Sequence, residues 1–454
     1  MTASPLPLAD VPIPGVQPRT KRATHDTRVL YGVIGLLMFT PLAFGGRAPW
    51  SLYILQAGSA VLLAAWTIAH IRSNEFTIRR SPLFWPALAF AGLISLQLIP
   101  GISAYWHATY SQLLQFVAYG CICFLISQTL THTRHLRIIA KALAIFGSAV
   151  ALFAMLQSLS SPGRIYWWRA PFDGGWTYGP YVNHNHYAGL MEMLIPVPLV
   201  FAFSQFARRR ERWIAASIAA FMGATIFVSG SRGGMLAFAA QIALFALFIF
   251  REHRKQSVAV LFTAFVLITV GVVAWTGAHE VGSRLATLSS DPRAELSTDI
   301  RLQIDRDILT MVRQRPLLGW GQGTFADVYP RFRSFYTDSA VNAAHNDLLQ
   351  VLAETGFIGF AIMIWFLIRA LRPAWRKSQK WQSSINGAVS VAAILGISGI
   401  LVHSLFDFNM QIPANAALFY SLCTVAAMEP RFTARRHRKH EFEISADSAQ
   451  TLTA

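Results

Sequence analysis

Apolar residues along this chain fall in blocks of roughly 18–22 positions with almost no charge, the length at which an α-helix crosses about 30 Å of hydrocarbon. Such spans read at about 29–45, 51–71, 82–100, 111–130, 138–158, 186–206, 213–229, 234–250 and 257–276, then at 356–371, 385–404 and 412–428. Without water, runs of this length satisfy their backbone polar groups as helices. The expected fold is therefore an all-α polytopic membrane protein of about twelve transmembrane helices. One stretch interrupts the series. From Thr276 to Phe357 the chain is polar and rich in arginine, and it ends in Ala344-His345-Asn346-Asp347-Leu348-Leu349-Gln350.

That interruption has a pattern of its own. Ile300, Ile304, Ile308, Met311 and Val312 recur at helical spacing, with Ser297 or Thr298 able to cap the start and Pro316 following the end. The stripe predicts a helix over 299–314, lying on the membrane surface or against other loops. Arg301 and Asp305 stand one turn apart and are placed to pair. Glycines 319, 321 and 323 then exclude a regular helix and predict a turn whose backbone N–H groups can approach a ligand closely.

Composition sharpens the class. The 454 residues are 54% hydrophobic and 13% charged, against about 25% charged in an ordinary globular chain. In a soluble protein the net charge of +17 would point to nucleic acid. Here it follows the loops, since Arg72/Arg79/Arg80, Arg134/Arg137/Lys141, Arg208–Arg210/Arg212, Arg251/Arg254/Lys255 and Arg369–Lys380 occupy alternate connections. Cytoplasmic loops favour Lys and Arg, so the alternation puts both termini in the cytoplasm. No cleaved signal peptide is read, because the first 27 residues lack an apolar core before a small-residue cleavage site.

The expected organisation is a Pro-rich cytoplasmic tail (1–28), spans with outside loops at 159–185 and 230–233 (29–276), a large outside loop (277–355), further spans (356–428) and a basic cytoplasmic tail (429–454). Cys121, Cys123 and Cys423 fall inside spans, with neither a disulfide framework nor metal spacing.

Candidate chemistry gathers on the outside face. His345, near a helix start, can take a proton from a hydroxyl near neutral pH, or serve as a polar cap. Arg232 stands among Ser229-Gly230-Ser231 and Gly233-Gly234, where its fork can hold a phosphate or snorkel from a tight turn. Asn183, Asn185 and His186 can bond a sugar or phosphate, or cap a helix. His184 and His186 point apart on a helix and lack partners of usual metal spacing, so no metal is assigned. Tyr166-Trp167-Trp168 and Trp176 read as an interfacial aromatic belt first and sugar-stacking groups second. Glu192, His403 and Asp407 are ionisable groups within or beside spans, which makes them functional suspects without an assigned role.

Together these motifs resemble the O-antigen ligase/polymerase superfamily of polytopic membrane glycosyltransferases. The pieces are Asn183–Gly189, Ser229–Gly234, Arg301 with its helix, Pro316–Gly321, Ala344–Gln350 with Glu354-Thr355-Gly356, and His403…Asp407 with Pro413-Ala414-Asn415. They run from about residue 180 to 415; residues 1–160 are similar in hydropathy only. The resemblance implies a GT-C-like enzyme of the bacterial inner membrane with a periplasmic active site and no cofactor. Its donor would be a glycan on undecaprenyl pyrophosphate. Arg232 and Arg301 would bind the pyrophosphate, and His345 would activate the acceptor hydroxyl. Asn183, Asn185, His186, Trp320 and Asn346 are the further substrate-binding candidates.

Acceptor choice stays open between lipid A core, another glycan repeat and a protein hydroxyl. Ligase, polymerase and protein O-oligosaccharyltransferase share every feature above. A transporter or flippase is the alternative of another class. It would line a mid-membrane pathway with charge and would not need a structured outer loop of roughly 80 residues.

Overall fold

The structure is a computed structural model that describes residues 19–73, 78–161, 163–170, 176–250, 298–336 and 341–428. The expected span at 257–276, the tails 1–18 and 429–454, and the loop residues 251–297 and 337–340 lie outside the described residues.

Helices carry the fold: α1 (Arg19–Leu42), α2 (Pro49–Arg72), α3 (Phe84–Gln97), α4 (Trp106–Thr129), α5 (Thr133–Ser160), α6 (His184–Leu194), α7 (Pro196–Phe203), α8 (Arg209–Ser229), α9 (Arg232–Phe250), α10 (Thr298–Gln314), the single turn α11 (Phe325–Val328), α12 (Asp347–Ser378), α13 (Ile385–His403) and α14 (Pro413–Ala427). Among the described residues, eight helical segments are long and apolar enough to cross a membrane, and two shorter apolar helices, α3 and α14, accompany them. The chain is a multi-pass helical membrane protein.

Three expected spans differ in detail. The run at 186–206 divides into α6 and α7 at Ile195, just before Pro196, whose ring crowds the preceding turn and which supplies no N–H. Arg232 is the first residue of α9 rather than a loop residue, because only Gly230 and Ser231 separate α8 from α9. The run at 356–371 is the middle of a longer helix that starts at Asp347 and bends at Gly356.

The bundle is arranged around α13, which packs on α6, α7, α9, α12 and α14. Every residue of α6 is buried, so whatever polar side chains it carries must find partners inside the protein. Gln241 of α9 supplies polar adhesion: its Nε2 donates to the Glu192 carbonyl of α6 (2.7 Å) and to the Leu395 carbonyl of α13 (2.9 Å). In a lipid setting, where packed chains gain little from leaving hydrocarbon, such interhelical bonds stabilise association by about 1 kcal/mol.

The two ends sort as the charge alternation predicts. The connection after α7 meets the one after α12, with the Gln205 N–H donating to the Gln382 carbonyl at 2.8 Å. At the other end, the start of α12 meets the turn after α13, with the Asp347 N–H donating to the Ser404 carbonyl at 2.8 Å.

Helix α10 forms where the apolar stripe places it. Ile304, Ile308, Met311 and Val312 are buried in a small core with Trp320, Phe325, Val328, Tyr329, Ala344 and Ala353. The helix thus lies against its own loop and the first turns of α12. Arg315 to Phe325 closes this unit by clasping Glu354. The N–H groups of Gly323 and Phe325 donate to the two carboxylate oxygens at 2.9 and 3.2 Å, and Gln350 Nε2 adds a bond at 3.1 Å. Gln97 of α3 locks the clasp to the bundle through the carbonyls of Leu318 (2.7 Å) and Glu354 (2.9 Å). The glycine turn therefore points these N–H groups inward, at a carboxylate of its own chain.

Gly319 sits at φ 68° in this clasp, with the Glu354 backbone against the position a Cβ would take. Gly319→Ala should destabilise the protein by about 1–3 kcal/mol from backbone strain alone. Gly35→Ala, on a helix with open space around it, should be neutral or better. Thermal midpoints of the two purified variants check this, and equal midpoints would contradict the clasp.

Candidate active site

The site begins with the cap of α12. Asn346 is its N-cap, the amide oxygen accepting from the Leu349 N–H at 3.2 Å. Asp347 follows and is buried. One carboxylate oxygen accepts from Ser404 Oγ (2.8 Å) and from the Met410 N–H (2.9 Å). These bonds join the end of the long loop to the segment between α13 and α14. The residue just before the cap is His345, held at φ 54°, a region that few non-glycine residues occupy unless their surroundings impose it.

This placement sets His345 opposite Asp407. Nδ1 lies 3.5 Å from Asp407 Oδ1, with the carboxylate buried and the imidazole partly exposed. Phe408 packs edge-on against the ring at 4.9 Å and holds His186 in the same way at 4.8 Å. Nδ1 is buried, so the accessible edge of the ring is the one that carries Nε2. A carboxylate behind one nitrogen and an open second nitrogen is the arrangement that orients a general base and stabilises its protonated form. Burial would raise the Asp407 carboxyl. The imidazole of His345 beside it and those of His186 and His403 outweigh burial and hold it well below its ordinary 3.8.

Arg301 reaches the segment His403–Phe406, and the helix end that bears Arg232 packs against it through Gly233. Arg301 Nη1 donates to the Phe406 carbonyl at 2.9 Å. Burial raises the Asp305 carboxyl one turn later, and the Arg301 charge opposes that rise. Arg232 opens α9, where Ser231 caps the helix by accepting from the Gly234 N–H at 3.1 Å. Arg232 itself is exposed. Its neighbour Gly233 is pressed against His403, where a Cβ would stand 2.8 Å from Nε2. Only a glycine lets the arginine-bearing helix end come so close.

Beneath this lies a fully buried pair, His403 Nδ1 to Glu192 Oε1 at 2.8 Å. It links α13 to the enclosed helix α6. Charged or chargeable groups in a membrane interior are expensive to keep, so a pair at this depth is a device rather than filler. Sequence reasoning left Glu192, His403 and Asp407 without partners; the available signal was their ionisable character inside or beside apolar runs.

The remaining candidates divide. His186 joins the cluster through Phe408, and its carbonyl accepts from Asn415 Nδ2 at 2.9 Å. Asn183 caps α6 by accepting from the Asn185 N–H at 2.8 Å, and Asn185 is buried. Trp320 is not brought to the cluster. It lies in the loop core, its indole N–H donating to the Met311 carbonyl at 3.0 Å, with Arg315 stacked on its ring. Among the described residues, no three His, Cys, Asp or Glu side chains are arranged to hold a metal ion.

Fold and site together define a multi-pass membrane protein with a histidine–carboxylate centre flanked by arginines at one end of its helices. Residues 217–364 match the family model of the O-antigen ligases. The matched stretch holds Arg232, Arg301 and His345 and supports the superfamily resemblance seen in the motifs; Glu192, His403 and Asp407 lie outside it. A search of curated proteins returns no match.

The depressed Asp407 carboxyl carries a stability prediction. A group whose folded pKa is lowered stabilises the fold above its unfolded value, and that contribution is lost only as pH falls through the folded value. Asp407→Asn should cost about 3 kcal/mol, as when a buried pair loses one charge. Its gap from the parent should still be present at about pH 5 and close only below the ordinary carboxylate range. Thermal midpoints of both proteins from about pH 5 downward check the sign; a gap that persists unchanged or widens below the ordinary carboxylate range would contradict it.

Proposed function

We propose that this protein is a glycosyltransferase that moves a glycan from undecaprenyl pyrophosphate to a hydroxyl acceptor at the periplasmic face of the bacterial inner membrane. The observation that carries the reading is the convergence on His403–Asp407, where the His345–Asp407 pair meets Arg301 and the Arg232-bearing end of α9.

The chemistry follows from those parts. The acceptor oxygen forms a bond to the anomeric carbon, and its proton passes to His345 Nε2. The bond from that carbon to the pyrophosphate oxygen breaks, and the electron pair leaves with the polyprenyl pyrophosphate. Asp407 stabilises the imidazolium that results and keeps Nδ1 protonated throughout, so that Nε2 is the basic nitrogen. Arg232 and Arg301 meet the charge that grows on the leaving group. Fixed guanidinium forks suit phosphate oxygens and are stronger in a low-dielectric setting. A single displacement of this kind inverts the anomeric centre. Asn346 and His186, beside His345, are the candidates for contacts to the sugar or acceptor.

Ligase and polymerase are both compatible with this mechanism. The difference lies in which acceptor hydroxyl is presented to His345, another repeat unit or a lipid A core.

Reconstitution with a polyprenyl-pyrophosphate glycan, separate acceptors and EDTA tests the reading. Transfer should proceed in EDTA. His345→Ala should lower the transfer rate by about 10²–10⁴-fold while donor binding persists, whereas Arg232→Ala should weaken donor binding. Full transfer in both variants, or a requirement for added divalent metal, would overturn it.

A further inference from the structure

The end of the bundle remote from His345 holds a second feature. Helices α5, α7, α8, α13 and α14 leave a cavity of about 600 Å³ between them. Its walls are largely apolar, with Leu143, Ala144, Phe201, Ile214, Ala388 and Leu422 among them. A water occupies about 30 Å³ in the liquid and needs two to four polar partners when buried. A void many times larger, walled by hydrocarbon, lacks those partners and is better filled by a hydrocarbon chain.

The rim is not apolar. Arg137 and Lys141 line it from α5, and Glu211 lines it from the first turn of α8. Arg137 and Lys141 are four residues apart, so they lie on one face of the helix, and both are exposed. Glu211 is held in place, one carboxylate oxygen accepting from the Arg208 N–H at 2.9 Å. Two cations against one carboxylate leave a single net positive charge, which matches one phosphodiester.

We infer that this cavity is a glycerophospholipid site, with an acyl chain in the void and the phosphodiester at Arg137 and Lys141. The charge alternation of the loops puts this end on the cytoplasmic side, in the leaflet away from the proposed donor site. The bound lipid is therefore distinct from the polyprenyl substrate. It wedges α5 against α8 and α13, and α13 is the helix that delivers His403 at its other end.

Native mass spectrometry of the full-length protein, released from detergent, tests the inference. The probes are phosphatidylglycerol, diacylglycerol and glycerol phosphate. Phosphatidylglycerol should bind with one molecule retained per chain, and the other two at least about tenfold more weakly, since each lacks one half of the match. Arg137→Ala with Lys141→Ala should weaken phosphatidylglycerol by about tenfold or more. Ala144→Phe, which fills the void, should also weaken it. Arg209→Ala with Arg210→Ala, at the same end but off the rim, should leave binding unchanged. Size-exclusion profiles identical to the parent establish that each variant is folded.

Several results would overturn the site: no lipid retained by the parent, diacylglycerol bound as well as phosphatidylglycerol, or the off-rim pair losing as much as the rim pair. So would tighter lipid binding after deletion of residues 1–18, since that segment would then be the cavity's occupant. None of these readouts depends on glycan transfer.

Discussion

Asp347 is the hinge on which the site depends. Its buried carboxylate takes the Ser404 hydroxyl and the Met410 N–H, and its own N–H goes to the Ser404 carbonyl. These three bonds join the end of a long extramembrane loop to a turn between two membrane helices. Loops of such length are costly to order, and a loop-borne base is useful only if its position relative to the membrane is set within a fraction of an ångström. The clasp of Glu354 by the glycine turn does the same work about two helical turns further on, tying α10 and its core to α12 and α3. Just before the first of these anchors His345 is held in a backbone conformation it would not choose, facing Asp407.

Polarity in this protein is organised as pairs and networks. Glu192 meets His403, Asp407 meets His345, and Asp347 meets Ser404. In low dielectric an unpaired member of any of these would be strongly unfavourable, because partners rather than water must satisfy it. A substitution on α6 can therefore alter the far side of the site without touching it, through the Glu192–His403 bond and the contact of His403 with Gly233. The arginines are treated differently. Arg232 is exposed and Arg301 half-exposed, as groups must be if they are to meet a ligand arriving at the membrane surface.

Local features of this architecture were legible in the chain. The spans follow from apolar run length, and α10 from the spacing of Ile304, Ile308 and Met311. His345 could be placed near a helix start because Asn346–Glu354 runs on into the apolar stretch at 356. What could not be read is non-local. Glu192 and His403 are 211 positions apart, and no periodicity connects them. The glycine turn at 319–323 was recognisable as a turn, but the target of its N–H groups, Glu354, depends on tertiary packing. A ligand-facing loop and a carboxylate clasp look alike in sequence. Arg232 read as a loop residue for a similar reason: small residues on both sides hid a helix start capped by Ser231.

We propose that one pyrophosphate site lies between Arg232 and Arg301 with His345 on its sugar side. A structure of the protein in lipid nanodiscs, bound to a polyprenyl-pyrophosphate glycan, tests it most directly. Pyrophosphate density should lie within hydrogen-bonding reach of both guanidinium groups, with the anomeric carbon facing the Nε2 edge of His345. Pyrophosphate bound elsewhere, or a sugar directed away from His345, would contradict it.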